Sequence, residues 1–168
     1  MKFYYLIFII LLFILFLLFF IKKYLDSISY IFFYGTLRKN EFNYNKIKNN
    51  NLIEYLGKGM TTKKFSFIME KDTKWLPFIT EKQYNNYKKI PIIGDLYEIN
   101  NNISIFDRIK FLYQMDNFEY RYNREVIEII WNNQIKYAYI YVIKDYYISE
   151  VKNKFYIQHG DYSYVDLP

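Results

Sequence analysis

The sequence predicts an α+β fold in which a curled mixed sheet or small barrel carries a few helices. After residue 28 the chain consists mostly of short apolar runs separated by Asn- and Lys-rich patches at 45–51, 81–89 and 99–102. This pattern is typical of strands joined by surface loops. Residues 124–131 and 134–144 flank an Asn-Asn turn, which predicts a β-hairpin. Helical signals are few and do not alternate regularly with strands, which favours α+β over α/β.

The first element is predicted to be a single transmembrane helix. Residues 3–21 contain no charge, glycine or proline, and as a helix they would rise roughly 28 Å, close to the thickness of a bilayer core. A cleaved signal peptide is the alternative, but its apolar core is usually shorter. We therefore expect a membrane anchor at 1–25, inserted through 3–21, and one domain at 28–168. The protein would then be a single-pass membrane protein.

The next elements are mostly strands. Residues 29–33 read as a buried strand that stops at a turn, and 41–49 as a short polar helix. Residues 52–60 and 63–69 predict two strands with a turn between them. Residues 74–80 predict an apolar loop or edge strand, because Pro77 cannot donate to a ladder. Residues 90–99 predict a strand, in which Gly94 indicates a bulge or a close approach of another group.

The clearest helical signal covers residues 104–115. Ser104 and Asp107 have the spacing of an N-terminal cap, and the apolar side chains that follow recur on one face. The hairpin comes next, and the tail at 155–168 shows little regular pattern. The sequence thus predicts one domain after the anchor, with two helices and several strands.

The composition excludes several kinds of site. Cysteine is absent, which excludes disulfides, thiol catalysis and zinc–thiolate centres, and the single histidine excludes a histidine-rich metal centre. The formal net charge is +6, but without Lys2, Lys22 and Lys23 beside the apolar run it is only +3. So small an excess does not favour a nucleic-acid partner.

Three segments could carry chemistry. The first is the loop that begins at Gly35, where a glycine leaving a strand exposes successive N–H groups that can hold an oxyanion, or simply makes a turn. The second is Glu119, whose aromatic neighbours would raise its pKa toward that of a general base, unless it is solvated. The third is His159 with Asp161, more often structural, since no nucleophile motif accompanies it.

In their order along the chain these segments resemble the gamma-glutamylcyclotransferase-like superfamily, nearest its gamma-glutamylamine cyclotransferase branch. The resemblance covers about residues 30–165. It rests on segments 34–39 (YGTLRK), Asn43, 94–99 (GDLYEI), 115–119 (MDNFE), Tyr122 with Arg124 and Val126, and 160–162 (GDY). The chain departs from the branch in a shorter spacing from Glu119 to Tyr122, in Tyr44 where histidine is common, and in Asn40 where glycine is common.

The resemblance implies a reaction without cofactor or metal. The α-amine of a small γ-glutamyl substrate would attack its own γ-carbonyl, giving 5-oxoproline and a free amine or amino acid. It implies that Glu119 is the catalytic proton shuttle and that Tyr34, Gly35, Thr36 and Leu37 bind the substrate. It also favours a cytosolic side for the domain.

The resemblance leaves some questions open. The alternative function is a membrane-anchored binding module that keeps the fold and pocket but has lost turnover. The identity of the γ-glutamyl compound is open as well, and Trp75, Leu76 and Phe78 are candidates for the walls that would select it.

Overall fold

The computed structural model describes residues 2–70, 76–83, 87–118, 120–151 and 153–164. These residues form three α-helices, seven strands and two short 3-10 turns. The helices are α1 (Lys2–Ser27), α2 (Ile105–Phe118) and α3 (Asp145–Glu150). The strands are β1 (Tyr30–Phe33), β2 (Ile53–Glu70), β3 (Leu76–Thr80), β4 (Ile90–Ile99), β5 (Tyr122–Trp131), β6 (Gln134–Ile143) and β7 (Lys154–Tyr156). The 3-10 turns are Tyr44–Lys46 and Tyr162–Tyr164.

Five strands close into a small barrel in the order β2-β4-β1-β6-β5. The closing contact pairs β5 with β2 through Met60↔Ile130 and Thr61↔Ile129. The pairings around the barrel are antiparallel except for β1 with β6, which is parallel. The last five residues of β2, 66–70, leave the barrel and pair with β3 and β7 instead. The predicted α+β fold with a curled, barrel-like sheet is therefore confirmed.

Strand β2 can serve both sheets because its register with β4 shifts twice. The shifts lie between Tyr55 and Gly57 and between Met60 and Lys64. Such bulges bend a strand and strengthen its twist without ending it. The prediction of two strands with a turn between 60 and 63 is thus wrong in one respect, because the second irregularity lies inside a continuous strand.

The side chains of β1 alternate between two cores, as the twofold period of a strand requires. Phe32 points into the barrel, where it joins the cluster that includes Leu96 and Ile140. Ile31 and Phe33 point outward, to a cluster that also contains three α2 side chains. Those three are Phe111, Leu112 and Met115, so α2 covers this face of the barrel. A third cluster places Ile148 of α3 against Phe78 of β3 and Ile143 of β6.

Several local predictions are confirmed, and the elements that were predicted wrongly or not at all are short. The strands at 29–33 and 90–99 and the hairpin are confirmed, as is the helix at 104–115, where Asp107 N donates to Ser104 Oγ at 3.1 Å. The hairpin turn places Asn132 and Asn133 at positive φ. The predicted helix at 41–49 shrinks to the 3-10 turn Tyr44–Lys46. Helix α3 and strand β7 were not predicted, since each is too short for a periodic pattern.

The predicted transmembrane anchor is wrong for the part of the chain that the structure describes. There, no helix is both long and apolar enough to cross a bilayer. The expected single-pass membrane localisation, with insertion through 3–21, is corrected with it.

Gly94 lets β1 and β4 approach each other closely. A Cβ built on Gly94 would lie 2.5 Å from the carbonyl oxygen of Phe33 and 2.7 Å from the Phe32 ring. The first obstacle is backbone, which cannot rotate away. The predicted close approach at this glycine is thereby confirmed.

We expect Gly94→Ala to lower the free energy of unfolding by at least about 2 kcal/mol, because its methyl group must displace β1. The measurement is urea denaturation of the full chain. Asn123→Ala, at an exposed position of β5, is the control and should change the value by less than about 0.5 kcal/mol. Equal stability of the Gly94→Ala and Asn123→Ala proteins would show that β1 is not tightly apposed to β4.

Candidate active site

A cavity of about 60 Å³ lies where β1 ends, between the segment that follows β1, the start of β3 and the end of α2. Its walls come from β1, the following loop, β3, α2, β5 and β6. The lining residues are Phe32, Phe33, Tyr34, Gly35, Thr36, Leu37, Leu76, Pro77, Met115, Tyr122 and Tyr141.

The loop after β1 is held by a few specific hydrogen bonds. Arg38 N donates to Gly35 O at 3.0 Å, which closes the first turn. Asn43 clamps Thr36 twice, its backbone N donating to Thr36 O and its Nδ2 donating to Thr36 Oγ1, both at 2.8 Å. A Cβ at Gly35 would lie 2.5 Å from Pro77 Cγ. A larger residue would therefore push β3 away from the cavity.

This loop presents successive backbone donors. Within the described residues, the N–H groups of Gly35, Thr36 and Leu37 have no backbone or side-chain acceptor. All three residues line the cavity. Consecutive unpaired N–H groups form a concave site that favours a carboxylate or an oxyanion. The loop can therefore bind an anionic oxygen without a cationic side chain.

The phenol groups around the cavity are engaged by the protein itself. Tyr34 OH donates to the backbone oxygen of Tyr141 at 2.7 Å, and Tyr122 OH donates to that of Pro77 at 3.3 Å. Tyr141 OH donates to Asp116 Oδ1 at 3.0 Å. Burial, reinforced by the negative charge of Asp116, raises the pKa of Tyr141 far above its usual value. Tyr141 therefore stays a neutral donor at physiological pH.

Asp116 ties the last turn of α2 to the barrel. Its Oδ2 lies 3.3 Å from Arg124 Nη1, and the Arg124 guanidinium lies 5.0 Å from the centre of the Tyr139 ring. Arg124 is on β5, and Tyr139 and Tyr141 are on β6. These contacts hold the last turn of α2 against β5 and β6.

A buried ion cluster anchors the other end of the loop. Arg38 is only 3% exposed, and Asp95 and Asp161 are 2% exposed. Arg38 Nη1 donates to Asp161 Oδ1, and Arg38 Nε lies 3.6 Å from Asp95 Oδ1. Asp95 Oδ2 also accepts from Lys39 N at 2.6 Å. Ser163 donates to Asp161 from its backbone N and from its hydroxyl.

The two carboxyl groups of this cluster respond differently to burial. Burial raises the pKa of Asp95, and its bonds to Lys39 and Arg38 only partly offset that effect. Burial also acts to raise the pKa of Asp161, but the hydrogen bonds from Arg38 and Ser163 outweigh it and lower that pKa below its usual value. The fold thus favours the charged form of Asp161 and penalises that of Asp95.

The structure brings together the four residues predicted to bind substrate, since Tyr34, Gly35, Thr36 and Leu37 all line the cavity. Their role in binding stays a prediction. Glu119 lies outside the described residues, and its assignment as the proton shuttle also stays a prediction. Two residues that precede and follow it in the chain, Met115 and Tyr122, line the cavity.

The other candidate residues named from the sequence lie in different parts of the structure. His159 is exposed, and its Nδ1 accepts from the backbone N of Asp161 at 3.4 Å. Leu76 lines the cavity, Phe78 is buried in the cluster with Ile148, and Trp75 lies outside the described residues. No group of side chains suited to a metal ion occurs among the residues that the structure describes.

Sequence reasoning did not identify Pro77 and Tyr141 as walls of the cavity. It also did not identify Arg38 and Asp161 as the ion pair that anchors the loop after β1. Arg38 and Asp161 both lay in segments that carried the resemblance, but 123 positions separate them. The one available signal was that each segment pairs a glycine with a charged residue. That signal does not say which charges meet.

Comparison with known sequences assigns most of the chain to one family. The sequence model of the family described as "Gamma-glutamyl cyclotransferase, AIG2-like" matches residues 31–164. This range contains the strands β2–β7 and nearly all of β1. No curated protein matches the chain at a significant level.

Solved structures share the fold at low sequence identity. An AIG2-like protein from Mus musculus superposes with a TM-score of 0.60 and 18% identity over 81% of this chain and 88% of its own. YkqA from Bacillus subtilis gives 0.52 and 21% over 80% of this chain and 39% of its own. Allophanate hydrolase from Kluyveromyces lactis gives 0.59 and 12% over 80% of this chain and 20% of its own. At these identities the structures establish the fold alone.

Because the pKa of Asp161 is lowered and that of Asp95 is raised, replacing each by Asn should affect stability differently. The lowered pKa of Asp161 gives stability that is present above its unfolded pKa and is lost as the pH falls through the folded pKa. Asp161→Asn should therefore lower the free energy of unfolding by about 2–4 kcal/mol at pH 7, and by less at pH 3, which is below the unfolded pKa.

Asp95→Asn is the matched comparison. The raised pKa of Asp95 means that its charged form is disfavoured in the fold, so its neutralisation should cost less at pH 7. Urea denaturation of the parent and both variants at pH 3 and pH 7 measures the difference. A larger loss at pH 7 for Asp95→Asn than for Asp161→Asn would refute the assigned asymmetry.

Proposed function

The chain belongs to the gamma-glutamyl cyclotransferase, AIG2-like, family, and we propose that it converts a γ-glutamyl compound to 5-oxoproline. The family supports an activity of the gamma-glutamyl cyclotransferase type. The proposal goes further and names the reaction, the proton shuttle and the group that holds the glutamyl head. The observation that carries it is the row of unpaired N–H groups at Gly35, Thr36 and Leu37, three consecutive residues that line the cavity.

The reaction needs no external nucleophile. The α-amine of the glutamyl group attacks its own γ-carbonyl, forming the ring C–N bond and a tetrahedral oxyanion. The oxyanion collapses, the bond to the leaving nitrogen breaks, and one proton passes from the attacking to the leaving nitrogen. Because both reacting groups belong to one molecule, the enzyme chiefly has to hold the folded conformer and move that proton.

The cavity is suited to the first of these tasks. Its walls are mainly apolar and aromatic, which strengthens hydrogen bonds made inside it. The N–H groups of the 35–37 loop would bind the α-carboxylate or the developing oxyanion of the glutamyl head. Asn43 and the buried Arg38 hold this loop in place before substrate arrives.

Glu119 is proposed to accept the proton that the attacking α-amine nitrogen loses on ring closure and to return it to the leaving nitrogen. Two arguments support this assignment. The family resemblance assigns the catalytic role to the glutamate in this segment, and the cavity is lined by Met115 and Tyr122, which flank Glu119 in the sequence. An apolar surrounding would raise the pKa of a carboxyl group toward the range of a general base.

We expect Glu119→Gln to abolish release of 5-oxoproline, with a fall in kcat of about a thousandfold or more, because the amide cannot accept the proton. The full-length parent and the variant are incubated with γ-glutamyl-ε-lysine, γ-glutamyl-alanine and glutathione, and 5-oxoproline is quantified. Glu54→Gln, an exposed position of β2, is the control and should retain parental activity.

Near-parental turnover by Glu119→Gln would disprove the role of Glu119. If the folded parent binds a γ-glutamyl compound and releases no product, the protein is a binding module of the same fold.

A further inference from the structure

Two successive hydrogen bonds connect the start of the 35–37 loop to the last turn of α2. Tyr34, the residue before this loop, donates from its OH to the backbone oxygen of Tyr141 at 2.7 Å. Tyr141 in turn donates from its own OH to Asp116 Oδ1 at 3.0 Å. Both tyrosines line the cavity. Tyr141 is therefore shared, since its backbone contacts the strand end that leads into the loop and its side chain contacts α2.

Asp116 is held from two sides. Its Oδ1 accepts from Tyr141 on β6, while its Oδ2 lies 3.3 Å from Arg124 Nη1 on β5. Bonds to an ionised carboxylate are stronger than bonds between neutral groups. Burial, reinforced by the charge of Asp116, raises the pKa of Tyr141 far above its usual value, so the phenol keeps its proton and remains a donor. The end of α2 is thus tied to two strands that each supply a wall of the cavity.

Chain connectivity relates these contacts to the proposed proton shuttle. Glu119 follows Asp116 by three positions and precedes Tyr122, on β5, by three. A segment of three residues spans at most about 11 Å. The position of Asp116 therefore limits the positions that the shuttle can take, and a displacement of Asp116 moves the point from which the chain reaches it.

The 35–37 loop has supports that do not involve Asp116. Asn43 and the buried Arg38 hold it through hydrogen bonds of their own. Its link to Tyr141 uses the backbone oxygen of that residue, whereas Asp116 contacts the Tyr141 hydroxyl. Loss of the bond between Asp116 and Tyr141 should therefore leave the loop in place.

We propose that Asp116 is a positioning residue, which through Tyr141 sets the segment that carries Glu119 relative to the 35–37 loop. The inference rests on the proposed function for the role of Glu119. Asp116 acts through its neighbours and does not contact the substrate. Because a misplacement of about 1 Å can lower a rate by about a hundredfold, its contribution should appear in kcat and not in binding.

The test removes the acceptor and the donor of the same bond in the full chain. Asp116→Ala removes the acceptor, and Tyr141→Phe removes the donor while keeping the ring. We measure kcat by release of 5-oxoproline, from whichever of γ-glutamyl-ε-lysine, γ-glutamyl-alanine and glutathione the parent converts fastest. The Kd of 5-oxoproline is measured by calorimetry. Each variant should lower kcat by about tenfold or more and change Kd by less than about twofold.

Two further variants separate positioning from a general loss of structure. The double variant of Asp116→Ala with Tyr141→Phe should be no slower than the slower single variant, because both changes remove one bond. Asp116→Asn should retain a kcat at least about threefold above that of Asp116→Ala, because the amide can still bond to the Tyr141 hydroxyl. If Asp116→Ala does not fold, Tyr141→Phe and Asp116→Asn decide the question.

The chain offers a matched control for each change. Tyr137→Phe removes a hydroxyl from the same strand, where it donates to Glu128 Oε1 at 3.3 Å at an exposed position. Asn117→Ala changes the exposed residue next to Asp116. Neither residue lines the cavity, and both variants should keep the parental kcat and Kd.

Parental kcat in folded Tyr141→Phe would overturn the inference and leave the proposed function intact. A fall in kcat accompanied by an equal rise in Kd would overturn it as well, since the two residues would then act in binding. If the parent releases no 5-oxoproline from any of the three compounds, the proposed function and the inference are both refuted.

Discussion

The candidate site depends on the buried guanidinium of Arg38 and the two carboxylates that share it. This cluster joins the loop after β1, strand β4 through Asp95 and the C-terminal segment through Asp161. A buried charge is costly unless it is paired and hydrogen-bonded. The same pairing holds the loop immediately before Arg38 in one position. Residues 35–37 make few hydrogen bonds of their own. The contacts of Arg38 and Asn43 therefore hold their N–H groups in position.

Two close contacts made at glycines help to bring the charged groups and the cavity walls into place. Asp161 reaches Arg38 because the C-terminal segment docks against β4, where Ile93 N donates to Gly160 O at 2.8 Å. Gly160 has a φ of +74°, and a Cβ there would lie 2.3 Å from Pro91 O. At the start of the loop after β1, Gly35 has no side chain, so Pro77 can pack directly against it beside the cavity. The glycines at these two contacts therefore serve the site as much as the fold.

The elements predictable from sequence are those with a local physical signature. The hairpin has alternating side chains around Asn132 and Asn133, helix α2 has its Ser104 cap, and Gly94 interrupts an apolar strand. The strand near the start of the tail gave no local signal, because β7 is three residues long and pairs with the distant β2. The apolar N-terminal run showed only hydropathy, and that did not establish a membrane span.

The site itself was predictable only where one segment supplies several groups. Tyr34, Gly35, Thr36 and Leu37 follow one another, so a strand-to-turn pattern located them together. The remaining walls come from separate elements whose meeting is set by barrel closure. The pairing of Arg38 with Asp161 depends on long-range packing, which no local pattern encodes.

The claim on which this account depends is that the N–H groups of the 35–37 loop bind the glutamyl head. Titration of 5-oxoproline into the ¹⁵N-labelled full chain, followed by NMR of the backbone amides, tests it most directly. We predict saturable shifts that are largest at Gly35, Thr36 and Leu37. Saturable binding that moves other amides while these three stay in place would contradict the account.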